Sequence, residues 1–103
     1  MKKITNLVKN YIEAVEKKGI PVSGAYLFGS YAKNKANSFS DIDVCVVSSK
    51  FGKDYIEDSL KLKKIANTID YRIEPVPFAV GDMEDKYSTL ASEIKKYGIL
   101  IYK

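Results

Sequence analysis

Two carboxylates interrupt the start of an otherwise apolar run, Asp41-Ile42-Asp43-Val44-Cys45-Val46-Val47. A β-branched stretch of this kind reads as a buried strand. Side chains alternate faces along a strand, so Asp41 and Asp43 share one face while Ile42 and Val44 turn to the core. Two like charges so placed repel each other, and a fold keeps them only where something cationic lies between. The chain has no histidine, and no arginine stands close in sequence. A hard divalent cation is then the natural neutraliser, and magnesium fits best.

Upstream, Gly29-Ser30 follows a short apolar segment, and ten residues separate it from Asp41. Glycine lets backbone approach a phosphate closely, and the amides of an opening helical turn point at it with a favourable dipole. Ser30 adds a hydroxyl donor. One turn to cradle phosphates and one strand to hold the metal are the parts that phosphoryl or nucleotidyl transfer needs. Asn34 suits a left-handed position within that turn.

The rest of the sequence narrows the class. The 103 residues, 46% apolar and 29% charged, suit one globular domain over 1–103 with a real core. Cys45 is the only cysteine, which rules out an internal disulfide and, without histidine, a Cys/His zinc site. It reads as a small buried hydrophobe. No apolar stretch is long enough for a signal peptide core or a membrane span, so a cytoplasmic protein is expected. The net charge of +4 comes from scattered lysines. That spread lacks the concentrated basic track of a nucleic-acid surface, and nucleic acid is not an expected partner.

Apolar spacing gives the order of elements. Ile4 to Val15 forms an amphipathic helix ending near Lys18-Gly19; Val22 to Phe28 is a strand; Tyr31 to Ser40 is a short helical turn and a loop. Ile42 to Val47 is a second strand and Tyr55 to Ala66 a second helix. Ile69 to Phe78 is a third strand, either at an edge or bulged, because Pro75 and Pro77 remove ladder donors. Tyr87 to Tyr97 is a third helix, and Gly98 to Tyr102 closes the chain as a strand. The expected fold is α+β in two layers, a mixed sheet of about four strands with helices packed on it.

With these residues in hand, Leu27-Phe28-Gly29-Ser30-Tyr31-Ala32-Lys33 and Ser40-Asp41-Ile42-Asp43-Val44 together resemble the signature of the polymerase-beta-type nucleotidyltransferases. More narrowly they resemble the minimal nucleotidyltransferases of prokaryotes. The resemblance implies that fold and a transfer of NMP, AMP from ATP above other NTPs, onto a hydroxyl acceptor. It implies that Asp41 and Asp43 bind two Mg2+ ions, for which Mn2+ substitutes, and that Gly29 and Ser30 hold the β- and γ-phosphates. It also implies a third carboxylate on a neighbouring strand that shares in metal binding and takes the acceptor's proton. Glu74 and Asp70 are the candidates, with Glu74 favoured by its place late in the third strand, although the family more often has aspartate there. Where relatives often carry arginine after Gly-Ser, this chain has Tyr31 and Lys33, and Lys33 is assigned one phosphate contact as a point charge. Tyr26, Tyr31, Phe39, Tyr71 and Tyr87 are candidates for stacking on a base or for packing.

The family also implies a partner, a small helical HEPN-type protein encoded nearby, with this chain as antitoxin and AMP-adding enzyme. The alternatives are a small-molecule nucleotidyltransferase of the aminoglycoside-modifying kind, and a silent partner-binding module of the same fold.

Overall fold

A computed structural model describes residues 2–102. Helix α1 (Lys2–Lys17) buries Val8, Tyr11, Ile12 and Val15, one stripe at helical spacing, and Gly19 beyond its end has positive φ. Strand β1 (Gly24–Phe28), strand β2 (Ile42–Val47), helix α2 (Tyr55–Ala66) and strand β3 (Ile73–Phe78) follow. A single 3-10 turn (Asp82–Glu84), helix α3 (Thr89–Tyr97) and strand β4 (Ile99–Tyr102) complete the chain. The side chains of Asp54 and Ser88 cap α2 and α3 by accepting from Glu57 N and Ala91 N at 3.1 and 3.0 Å.

The sheet order is β3-β2-β1-β4, with β2 and β3 parallel and the other pairs antiparallel. Strand β3 lies at one edge, where Pro75 and Pro77 leave no ladder donor missing inside the sheet. Residues of even number in β2 (Ile42, Val44, Val46) join α1 and α2 in the larger core. Cys45 instead joins Phe28, Phe78, Ala91 and Ile94 in a smaller one. Because strand side chains alternate, α3 covers the sheet face opposite α1 and α2. The mixed four-stranded α+β architecture is as expected; α3 adds a thin third layer to the two anticipated. Tyr11 is fully buried and its hydroxyl donates to Leu62 O at 2.9 Å, tying α1 to α2. No helix among the described residues is long and apolar enough to cross a membrane.

The third strand starts four residues later than the apolar pattern suggested, at Ile73 rather than Ile69. The cause is local. Asp70 Oδ1 accepts from Arg72 N at 2.8 Å, and the Arg72 guanidinium binds both Asp70 oxygens, at 3.1 and 2.9 Å. A side chain that captures its own neighbour's amide closes a turn instead of extending a strand.

Candidate active site

Register brings the predicted acids together. Phe28 at the end of β1 pairs with Asp43, and Asp43 lies opposite Glu74 across the parallel β2–β3 ladder. Residues opposite one another in a ladder project to the same face, so Asp43 and Glu74 both turn toward α3. Asp41 sits one residue before β2, exposed, and Gly29 follows β1 directly. One end of the sheet therefore gathers Gly29, Asp41, Asp43 and Glu74.

The approach of Gly29 to Asp43 is close. Gly29 has φ +73°, and a Cβ built on it would overlap Asp43 Oδ2 and lie 3.0 Å from Asp43 Cγ. Both conformation and space demand glycine here. After it, Lys33 N donates to Gly29 O at 3.1 Å and Lys35 N to Ser30 O at 2.9 Å, closing one helical turn. Asn34 is left-handed there, φ 61°, as its side chain allows. Among the described residues no acceptor takes the N–H groups of Ser30, Tyr31 or Ala32. Free amides at an opening turn are an anion cradle.

Electrostatics mark the same spot. Burial pushes the Asp43 carboxyl up to about 6, and the negative charges of Asp41, Glu74 and Glu93 push in the same direction. The two outer acids have cations: Lys63 Nζ lies 3.1 Å from Glu74 Oε2, and Lys33 Nζ lies 3.5 Å from Glu93 Oε2. Lys63 is itself fixed by donating to Ile73 O at 2.7 Å and Tyr71 O at 3.1 Å. Asp41 and Asp43 form no ion pair among the described residues, so the unbalanced charge falls on them. Among those residues no three acids are drawn into a ready-made metal cage. The donor chemistry still fits a hard divalent ion: carboxylate oxygens only, mutual repulsion at Asp43, and a glycine leaving the space beside it clear.

The remaining candidates separate. Asp70 is occupied by Arg72, which holds its carboxyl below the usual range, and it lies outside β3. Glu74 is the one of the two that stands opposite Asp43. Lys33 rests against α3, with its Nζ 5.0 Å from the centre of the Tyr97 ring and close to Glu93. Tyr31 donates to Asn37 O at 3.2 Å and Tyr26 packs in the smaller core. Phe39, Tyr71 and Tyr87 are exposed. Cys45 is fully buried, its thiol pushed up to about 12 by burial, as a structural cysteine would be.

Sequence reading missed Lys63, Glu93 and Tyr97. Each lies on a helix whose docking face only the tertiary fold defines, and the polar faces of α2 and α3 gave no local sign of it.

The family described as "Polymerase beta, Nucleotidyltransferase" matches residues 2–103. Among solved structures, a toxin–antitoxin crystallised with AMP-PNP is 25% identical at a TM-score of 0.65, over 90% of this chain and 71% of that one. A variant of the MntA–HpeT toxin–antitoxin is 26% identical at a TM-score of 0.61, over 89% and 69%. A Sulfolobus solfataricus protein, 18% identical at a TM-score of 0.65 over 95% and 78%, shares the fold. No curated protein matches the chain.

Proposed function

The chain belongs to the polymerase beta nucleotidyltransferase family, and on that premise we propose that it transfers AMP from ATP to a hydroxyl group on a partner protein. The observation that carries this reading is the row Gly29, Asp43, Glu74 across three adjacent strand ends, beside the free amides of Ser30, Tyr31 and Ala32. The likeness to toxin–antitoxin structures, one of them crystallised with AMP-PNP, supports a protein partner and an adenine nucleotide. The partner is a small helical HEPN-type protein, and this chain is its antitoxin, acting in the cytoplasm.

In this reading the amides after Gly29, with the Ser30 hydroxyl, hold the β- and γ-phosphates in a fixed orientation. Asp41 and Asp43, with Glu74, hold Mg2+, two ions in the full site, or Mn2+ in its place. When bound, the metal supplies charge neutralisation for the triphosphate. The acceptor hydroxyl oxygen bonds to the α-phosphorus, the bond to pyrophosphate breaks, and the hydroxyl proton passes to the Glu74 carboxylate. Lys63 on Oε2 fixes the orientation of Glu74 for that role. Lys33 leaves Glu93 to meet the triphosphate as a single positive charge. Asp43 itself is half-buried, so its charge is felt more strongly than at an open surface.

The test is incubation with α-labelled ATP, magnesium and the protein encoded beside this chain. Label on the neighbour, lost with Asp43→Asn, is the expected result. Inhibition of the neighbour without labelling, unchanged in that variant, would replace the enzyme with a masking module.

A further inference from the structure

We infer that the groove between α1 and α2 is a second binding site, one for a small phosphorylated organic molecule of nucleotide size. It is half-open to solvent and holds about 550 Å³, with Lys18, Lys50, Lys61 and Lys64 among the residues that line it. That volume lies within the usual range of small-molecule sites. The groove shares no residue with the carboxylate end. It lies on the α1/α2 face, and Lys50 follows the C-terminal end of β2, whereas Asp41 precedes the N-terminal end.

Its charge is the unusual part. Four lysines line it and no acid does. Among the described residues none of the four forms an ion pair; Lys50 Nζ donates to Gly19 O at 3.1 Å. The negative end of α2 favours a lysine in its last turn, which accounts for Lys64. It does not account for Lys18, Lys50 and Lys61 lining the same groove, where their like charges repel weakly through solvent. A bound polyanion would remove that repulsion.

The floor decides the rest of the ligand. Ile20 and Ile65 are nearly buried and, with Ala14, present an apolar base beneath the ammonium groups. Thr68 Oγ1 donates to Ile65 O at 2.6 Å, so that carbonyl is satisfied. An apolar floor under a cationic rim matches a molecule with an apolar organic part and two or more phosphates. Single-stranded nucleic acid needs aromatic platforms along a track, and no aromatic residue lines this groove. The observations thus favour a small molecule over RNA, and they stand independently of the transfer reaction.

The test is amide and methyl NMR on the full chain in EDTA, titrated first with tripolyphosphate and then with ADP. Saturable shifts at Lys18, Gly19, Lys50 and Thr68 are expected with both, and shifts of the Ile20 and Ile65 methyls with ADP alone. Replacing Lys61 and Lys64 by glutamine should weaken binding about tenfold or more while other resonances stay in place. Unsaturable shifts spread over Lys2, Lys3, Lys95 and Lys96 would overturn the site, as would silent isoleucine methyls. Tighter binding of an oligoribonucleotide than of ADP would overturn the choice of ligand. Gly29 and Ser30 report the carboxylate end separately, so failure of either reading is visible on its own.

Discussion

Gly29 lies against the carboxylate of Asp43 so closely that a methyl group on the glycine would clash with Asp43 Oδ2. The turn after β1 and the acid strand are thus built against each other. Replacing Gly29 by alanine should cost about 1–2 kcal/mol for its left-handed backbone alone, and more from displacing Asp43. Gly81→Ala is the comparison: its φ is also positive, 102°, but nothing lies within 4 Å of an added Cβ. Urea denaturation should show both variants destabilised. Labelled-AMP transfer should be lost only with Gly29→Ala.

The raised Asp43 carboxyl gives a pH dependence with a definite sign. Its folded value, about 6, lies above its ordinary 3.8. The protonated acid therefore favours folding fully below about 4, and that contribution is lost as the pH rises through 6. Because the side chain is partly open to solvent, the effect is expected to be about 1 kcal/mol rather than the full value of the shift. Without metal, Asp43→Asn should raise Tm at pH 7.5 by roughly 4–8 °C and leave it unchanged near pH 4. Thermal melts in EDTA at the two pH values check this. Added magnesium should stabilise the native chain and not the variant.

Asp70 and Glu74 should behave oppositely. Glu74→Gln removes the proposed proton acceptor opposite Asp43 and should lower kcat about 100-fold or more, with little change in Tm. Asp70→Asn breaks the fork to Arg72 and should cost about 1 kcal/mol of stability, with kcat within a few-fold of native. Steady-state kinetics beside melts separate the two roles.

The pairing of Lys33 with Glu93 predicts a change in affinity. Glu93→Gln frees Lys33 for the triphosphate, so KM for ATP should fall roughly 2–5-fold with kcat held, the worth of a part-exposed ion pair. Lys33→Ala should raise KM. Unchanged KM in both variants would leave Lys33 a packing residue against Tyr97.

Much of this molecule could be read along the chain because its signals are local. Asp43 announced an acid at the start of an apolar strand, although β2 begins only at Ile42 and leaves Asp41 before it; Pro75 and Pro77 announced an edge or a bulge; Asn34 announced a left-handed turn. What could not be read depends on distant partners. Asp70 resembled a strand residue until Arg72, two positions on, proved to claim both its carboxylate and the local backbone. Lys63 and Glu93 looked like solvated helix charges, and only the docking of α2 and α3 on opposite faces brings them to Glu74 and Lys33. The side of the sheet on which α3 packs follows from the parity of Phe28 and Cys45, which was visible, combined with a chain path that was not.

In the proposed mechanism Asp41 and Asp43 grip a divalent ion beside the Gly29 turn. Paramagnetic broadening by Mn2+ in the presence of ATP reports that grip. The amides of Gly29, Ser30, Asp41, Asp43 and Glu74 should broaden first and together, at substoichiometric manganese, and stay sharp in Asp43→Asn. Broadening that begins elsewhere, or that persists undiminished in the variant, would contradict it.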